Sequence, residues 1–212
     1  MKVLVIVARR YNGHELWTAL GVMQEAGIEF DVVSRSKNIV DEVTRQPNTI
    51  EMVLEDVTNL DGYDGLMFVS GNMDDTESHW HDPHIQSLVA MASDMPVAAI
   101  CCSVPIIRSL ADGKKVSFFP LVRSKIILEE AGAIPQTVSI TVDGNLVTAE
   151  HQMASQVWSE QFVKVLEGEP TDPNLVDSGF TPQGKTERRL HPRLERLRGM
   201  EYHPKNKELM DE

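Results

Sequence analysis

Cysteine is scarce in this chain, and the little there is lies at one point. The 212 residues include two cysteines, Cys101 and Cys102, which are adjacent. Neighbouring residues cannot close a loop, so the sequence excludes a disulfide-stapled secreted domain and fits a reducing compartment. The thiols are therefore expected to serve packing or chemistry rather than cross-linking.

Long apolar runs and positive charge are also in short supply. No stretch approaches the roughly 20 apolar residues of a membrane-spanning helix, and residues 1–7 read as a strand without a secretory cleavage site. The chain has 20 basic and 32 acidic residues, and the resulting net charge of −12 repels nucleic acid and anionic membranes. We expect a cytoplasmic protein that binds neither nucleic acid nor membrane.

A glycine-rich phosphate loop is missing after the first predicted strand. Residues 8–13 read Ala-Arg-Arg-Tyr-Asn-Gly, without the glycines that let backbone amides approach a phosphate. A flavin or nucleotide carrier is thus poorly supported, and no cofactor is predicted.

Short apolar runs alternate with helical patterns over residues 1–167. Four runs have the composition of strands buried on both faces, as in a parallel sheet: residues 3–8, 28–33, 66–69 and 97–100. Asp143-Gly144 predicts an antiparallel hairpin, and residues 151–166 predict a final amphipathic helix. With 42% hydrophobic residues, this length suits one α/β domain with a mostly parallel sheet.

Other segments carry weaker signals. Residues 34–60 could form short strands or a hairpin, and this choice stays open. The residues between Asn72 and Asp82 read as a polar loop, and Pro120 predicts the start of a helix. Residues 168–212 hold five of the 11 prolines, with nine acidic and eight basic side chains. We interpret 168–212 as a C-terminal extension along the domain or a partner subunit; the alternative is an unattached tail.

Cys101 ends the buried run Val97-Ala98-Ala99-Ile100, and Pro105 fits the first turn of a following helix. A cysteine there lies at the carboxyl edge of the sheet and near the positive end of a helix, which favours the thiolate. This is a nucleophile elbow that carries sulfur; the alternative is a small buried hydrophobic residue. Cys102 would contribute its N–H to an oxyanion site, and its sulfur could resolve an oxidised Cys101.

Glu15 has two interpretations. Asn12 and Glu15 have the spacing of a capping box at the start of a helix. Alternatively, the carboxyl group of Glu15 reaches the Cys101 sulfur and holds the thiolate or shuttles its proton. The two are only partly compatible, because a side chain bonded to its own N-cap does not face the thiol.

Three further groups could take part in chemistry. Ser70-Gly71-Asn72 ends a strand expected beside the cysteine strand, so the N–H groups of Gly71 and Asn72 could bind an oxyanion; the alternative is an ordinary turn. His151 is either a polar residue at a helix start or the base of a cysteine nucleophile. His79, His81 and His84 could hold a metal, but no fourth ligand has zinc-site spacing, and a solvated loop is favoured. No metal is predicted.

Together these residues resemble the ThiJ/PfpI superfamily of class I glutamine amidotransferase-like proteins, over about residues 1–167. The matching segments, in order, are residues 2–7 with Glu15 and Gly27, residues 61–71, residues 97–101 (Val-Ala-Ala-Ile-Cys, similar to an A-A-I-C elbow) and residues 143–149 (Asp-Gly-Asn-Leu-Val-Thr-Ala). The resemblance implies a flavodoxin-like three-layer sandwich, a strained nucleophilic Cys101 supported by Glu15, and a homodimer or higher homo-oligomer.

The sequence departs from the family pattern at the histidines. One branch has histidine directly after the cysteine, where this chain has Cys102, and another has histidine before the next strand's proline, where it has Phe119. Ser103 and Asn72 replace two usual glycines. Either His151 has taken over as base, or ordinary triad hydrolysis is lost.

The leading hypothesis is a cysteine-dependent enzyme acting on small carbonyl or amide substrates, as an amidase, peptidase, glyoxalase or deglycase. Cys101 would attack, Glu15 would manage its proton, the N–H groups of Gly71, Asn72 and Cys102 would hold the oxyanion, and His151 would be the base. The alternative is a non-catalytic thiol redox sensor or a chaperone-like scaffold of the same family.

Overall fold

The computed structural model describes residues 1–171. Its strands, numbered in chain order, are β1 (Lys2–Val7), β2 (Arg10–Tyr11), β3 (Glu29–Ser34), β4 (Asn38–Asp41), β5 (Pro47–Thr49), β6 (Met52–Val53), β7 (Gly65–Val69), β8 (Val97–Ile100), β9 (Lys115–Val116), β10 (Ile134–Pro135), β11 (Ile140–Asp143) and β12 (Leu146–Ala149). The α-helices are α1 (Gly13–Glu25), α2 (Met73–Trp80), α3 (Pro83–Met91), α4 (Val122–Glu130) and α5 (Ser155–Glu167), and 3-10 turns cover Leu54–Asp56, Cys101–Leu110 and Gln152–Ala154.

Seven strands form the central sheet, in the order β11-β12-β8-β7-β1-β3-β6. Every neighbouring pair is parallel except β11 with β12, which form the antiparallel hairpin predicted at Asp143-Gly144. The parallel strands are apolar on both faces because helices cover each side. β1, β7 and β8 lie side by side, so their carboxyl ends meet at one edge of the sheet.

Two hydrophobic layers flank the sheet. On one face, α1 and α5 pack Leu16, Met23, Trp158 and Phe162 against alternate residues of the strands, including Val5. On the other face, side chains of α2, α3, α4 and the 101–110 turn pack against the intervening strand residues. This arrangement confirms the predicted three-layer, flavodoxin-like α/β sandwich with a mostly parallel sheet.

Several local predictions were wrong. Residues 72–81 contain α2 instead of a polar loop, and α4 begins at Val122, two residues after the predicted start at Pro120. Pro105 lies at the fifth residue of the 101–110 turn rather than in a first α-helical turn. The region left open, residues 34–60, forms β4, β5 and β6; β4 and β5 join β2 in a separate three-stranded sheet.

The C-terminal extension predicted for residues 168–212 falls largely outside the described residues. The structure follows the chain to the end of α5, where Gly168 takes a left-handed conformation and closes the helix. Across residues 1–171, no helix is both long enough and apolar enough to cross a membrane.

Candidate active site

Cys101 is the first residue after β8, and its backbone has a φ of +59°. The left-handed region is unfavourable for a residue with a Cβ, at a cost of about 1–2 kcal/mol. The turn is held by neighbouring bonds: the Ser103 hydroxyl donates to Phe68 O at 3.0 Å, and the Phe119 N–H donates to Cys101 O at 3.4 Å. The strand therefore ends in a strained bend that presents a partly exposed sulfur.

Glu15 lies in the first turn of α1 and is completely buried. Its Oε2 accepts two hydrogen bonds from Ser70, one from the backbone N–H at 2.9 Å and one from the hydroxyl at 2.7 Å. Its Oε1 is buried with no hydrogen-bond partner among residues 1–171. Glu15 thus faces the carboxyl ends of β7 and β8 rather than its own helix terminus.

The capping-box interpretation of Glu15 is half realised. Asn12 is the N-cap of α1, and its Oδ1 accepts the N–H groups of His14 at 3.1 Å and Glu15 at 3.3 Å. The reciprocal bond is missing, because the Asn12 N–H donates to Ser70 O at 2.8 Å. The cap leaves the Glu15 carboxyl group available to the sheet edge.

Burial raises the pKa of Glu15 to about 8, although the bonds from Ser70 oppose the shift. A buried carboxylate loses its hydration, and the nearby Cys102 sulfur adds like-charge repulsion when ionised. At neutral pH the Glu15 carboxyl group is therefore mainly protonated. The Cys101 side chain opposes a small part of the rise in the Glu15 pKa. A neutral acid beside the sulfur can donate a proton without placing a second negative charge there.

The two cysteine side chains influence each other's ionisation, and Cys102 is only 2% exposed. Hydrogen bonding to Cys102, burial and the Glu15 charge raise the pKa of Cys101. The pKa of Cys102 is lowered to about 7, first by the bond from Cys101, and burial opposes this shift.

The predicted oxyanion donors do not all point to one place. The Gly71 N–H donates to the Thr76 hydroxyl at 3.1 Å, and the Asn72 N–H donates to Arg10 O at 2.7 Å. The Asn72 amide is engaged beside the Tyr11–Gly71 bridge, and the Gly71 amide is engaged by a hydroxyl of α2. This differs from the expectation that they face a substrate. The Cys102 N–H lies in the first turn after Cys101, where amides lack partners inside the helix.

His151 lies near the elbow but is not arranged as a general base. Its ring stacks on Phe119 at a centroid distance of 6.2 Å, and Phe119 in turn bonds to Cys101 O. The His151 Nδ1 accepts the Met153 N–H at 3.3 Å, so His151 serves as the N-cap of the 152–154 turn. Because Nδ1 is an acceptor, the neutral ring carries its proton on Nε2, which makes Nε2 a donor.

The three histidines of residues 79–84 diverge. His79 is buried, and burial together with the Arg35 charge lowers its pKa to about 4. His81 is exposed at the end of α2, and the His84 Nε2 bonds to Val57 O at 2.6 Å. Within the described part of the chain, no three His, Cys, Asp or Glu side chains form a group that could hold a metal.

Two side chains near the sulfurs were missed by sequence reasoning. The Ser70 and Thr76 hydroxyls both lower the pKa of Cys102. Ser70 was considered only for the turn it begins, and Thr76 fell in the supposed polar loop. Asn72, followed by Asp74 and Asp75, is a usable helix-start signal and could have placed Thr76 in a first helical turn.

The three-layer sandwich with its mostly parallel sheet defines a flavodoxin-like α/β protein. A sequence model of the DJ-1/PfpI family matches residues 1–165. The chain therefore belongs to the DJ-1/PfpI family.

Relatives in sequence and structure agree with this assignment. An uncharacterized protein of Methanocaldococcus jannaschii is 29% identical over 172 residues, which cover 78% of this chain and 82% of that protein. The ThiJ/PfpI domain protein of Brachyspira murdochii has a TM-score of 0.71 at 19% identity, covering 80% of this chain and 98% of that one. Drosophila melanogaster DJ-1beta has a TM-score of 0.67 at 19% identity, covering 79% and 91%. At these identities the structural matches support the fold.

Proposed function

We propose that the protein is a cysteine-dependent enzyme that acts on small carbonyl or amide substrates in the cytoplasm. The observation that carries this proposal is the positive φ of Cys101 at the sheet edge, directly beside a buried carboxyl group. Strained backbone at the tight turn of a nucleophile elbow supports a functional interpretation, since a purely structural cysteine gains nothing from it.

In the proposed reaction, the Cys101 sulfur attacks the carbonyl carbon. The carbon–sulfur bond forms as the carbonyl π pair moves to oxygen, and the Cys102 N–H is the oxyanion donor that we propose. Glu15, protonated at neutral pH, gives its proton to the oxyanion and takes up the proton of the Cys101 thiol, so that a neutral adduct forms and Glu15 is protonated again. The Gly71 and Asn72 amides hold the turn that carries Ser70.

Turnover with a small 2-oxoaldehyde and with small amides tests the proposal. The wild-type protein should consume at least one of these classes, and Cys101→Ala should not. Equal consumption by both proteins, or none by either, would contradict catalysis at Cys101. A thermal melt of Cys101→Ala confirms that the comparison is made between folded proteins.

A second candidate is a non-catalytic thiol redox sensor or chaperone-like scaffold of the same family. It is favoured by Cys102 and Phe119, which stand where family branches carry histidine, and by the His151 Nδ1 bond. It predicts that mild peroxide oxidises Cys101 selectively without turnover. Intact-mass analysis and peptide mapping that show no selective oxidation of Cys101 would contradict this second candidate.

The family resemblance also implies assembly into a homodimer or a higher homo-oligomer. Light scattering coupled to size-exclusion chromatography measures this directly, and a monomer at micromolar concentration would contradict it.

A further inference from the structure

We propose that Asn12 and Gln152 determine which substrates reach Cys101, because their side chains close a collar around the sulfur that admits only the end of a molecule. The substrate is then a terminal carbonyl, as in a small aldehyde or a primary amide, and not a peptide bond within a chain. The proposal rests on the proposed function in taking Cys101 as the nucleophile. Its starting observation is the hydrogen bond from Asn12 Nδ2 to Gln152 Oε1 at 2.5 Å.

This bond crosses the carboxyl edge of the sheet over the end of β8. Cys101 directly follows β8, whose neighbours in the sheet are β12 and β7. Gln152 lies shortly after β12, and the Asn12 N–H donates to Ser70 O, at the end of β7, at 2.8 Å. The two strands that flank β8 are about 10 Å apart. The side chains of Asn12 and Gln152 therefore meet across the position from which Cys101 leaves the sheet.

The bond also lies on the face of the sheet to which the Cys101 side chain belongs. That side chain packs against the hydrophobic layer formed by α1 and α5. Asn12 is the N-cap of α1, and Gln152 begins the 3-10 turn that leads into α5. The hydrogen bond thus joins the N-terminal ends of the two helices that cover the sulfur, in agreement with its being only partly exposed.

The residue before Gln152 closes the remaining side. The His151 ring stacks on Phe119 at a centroid distance of 6.2 Å, and the Phe119 N–H donates to Cys101 O at 3.4 Å. Residues 151 and 152 therefore contact one flank of the elbow each. The collar consists of Ser70, Asn12, Gln152, His151 and Phe119, and it closes on Cys101 itself.

Both ends of the Asn12–Gln152 bond are held by other bonds. Asn12 Oδ1 accepts the N–H groups of His14 and Glu15, so the Nδ2 donor is the part of this amide that remains for Gln152. The backbone oxygen of Gln152 accepts the Ser155 hydroxyl at 2.6 Å. The collar is accordingly a formed boundary of the site in the absence of substrate.

A closed collar discriminates between carbonyl groups by their substituents. The carbonyl of an internal peptide bond has chain on both sides and needs a groove that is open at two ends. An aldehyde has hydrogen on one side and a primary amide has an NH₂ group, so either can enter through one opening. Steric exclusion of the wider class is a usual source of specificity. The collar therefore separates the aldehyde and amide activities of the proposed function from its peptidase activity.

Alkylation of Cys101 by two reagents, quantified by peptide mass spectrometry, tests the proposal without requiring turnover. Iodoacetamide reacts at a terminal CH₂ carbon, whereas N-ethylmaleimide reacts at a ring carbon with substituents on both sides. The maleimide-to-iodoacetamide rate ratio at Cys101 is divided by the same ratio for N-acetylcysteine, which removes the intrinsic reactivity of the reagents. In the wild-type protein this normalised ratio should be lower than one by about tenfold or more.

Two variants open the collar in different ways. Gln152→Ala removes the acceptor, and Asn12→Ser removes the Nδ2 donor while keeping an oxygen that can cap α1. Each should raise the normalised ratio by about fivefold. Gln152→Glu keeps an oxygen for Asn12 Nδ2 and should retain the wild-type ratio. The buried Cys102 should stay unlabelled in every variant, which distinguishes an opened collar from an unfolded chain.

Gln156→Ala is the matched control, since this glutamine of α5 donates to Glu160 at 2.7 Å. It should leave the normalised ratio unchanged. A wild-type ratio near one, or a low ratio that persists in both Gln152→Ala and Asn12→Ser, overturns the proposal. Absence of turnover with 2-oxoaldehydes and amides, while the ratios change as predicted, would instead contradict the proposed function.

Discussion

The left-handed backbone of Cys101 has an energetic cost that can be measured. Glycine adopts a φ of +59° without strain, whereas alanine at this position keeps the Cβ that causes it. Cys101→Gly should therefore be more stable to urea than Cys101→Ala by about 1 kcal/mol. Ala99→Gly, in the same segment but without a positive φ, should destabilise the protein instead. Equal stabilities of the Gly and Ala variants at 101 would contradict the strain.

The raised pKa of Glu15 predicts how the free energy of unfolding depends on pH. Its pKa is raised from 4.5 to about 8 on folding, so between these values the folded protein retains a proton that the unfolded chain has released. The contribution of Glu15 to the free energy of unfolding must then fall as pH rises from about 4.5 to 8 and level off above that range.

Glu15→Gln lacks this titration while keeping an oxygen for the two Ser70 bonds. Urea denaturation at pH 5, 6, 7 and 8 should show wild-type stability declining relative to the variant, by several kcal/mol over the range. A constant difference across these pH values would show that Glu15 is ionised throughout.

At the scale of elements, the turn from β7 to α2 brings Ser70 and Thr76 to the cysteines, and Gly71 makes the turn possible. A Cβ at Gly71 would lie 1.9 Å from Arg10 O and 2.6 Å from Tyr11 Cα, both backbone atoms that cannot move aside separately. Gly71→Ala should therefore destabilise the protein by about 1–3 kcal/mol and reduce Cys101 alkylation.

Gly65→Ala is the matched control at the opposite end of the same strand. A Cβ there meets mainly the Leu166 and Phe162 side chains, which can shift. It should lower stability but leave Cys101 alkylation unchanged. Equal losses of reactivity in both variants would mean that the β7–α2 turn has no special role.

The elements predicted from sequence are those whose apolar pattern and end signals agree. β1, α1, β7, β8 and the β11–β12 hairpin were found because strand runs, helical spacing and Asp143-Gly144 carry local information. α2 was missed because its eight residues include only Met73 and Trp80 as large apolar side chains. β5 and β6 are two or three residues long, and pairing with distant strands determines them.

The candidate site shows the same division. The position of Cys101 at the end of a buried strand predicts that it is the nucleophile. The carboxyl edge that β1 and β8 share predicts that Glu15 approaches the Cys101 sulfur. The Gly71 and Asn72 amides donate to Thr76 and Arg10, respectively. The sequence around residues 70–72 does not predict these contacts. The tautomer of His151 likewise depends on a hydrogen bond from Met153 that the sequence pattern does not predict.

At the scale of the whole molecule, the predicted boundary near residue 168 remains to be tested. The described core clusters are built from residues of β1 through α5. We expect a protein ending at residue 171 to fold with a free energy of unfolding within about 1 kcal/mol of the full chain, because the described residues of both clusters come from β1 through α5. Circular dichroism with urea denaturation measures this, and failure of the shortened chain to fold would make residues 172–212 part of the domain.

The central claim is that the Cys101 sulfur is the reacting atom. It is tested most directly by measuring turnover as a function of the fraction of Cys101 that has been alkylated. Iodoacetamide is added in substoichiometric steps, each modified cysteine is quantified by peptide mass spectrometry, and residual turnover of the responsive substrate is measured. We predict that label accumulates on Cys101 and that activity falls in proportion, reaching zero at one label per chain. Label on Cys102 first, or activity that survives complete modification of Cys101, would contradict the account.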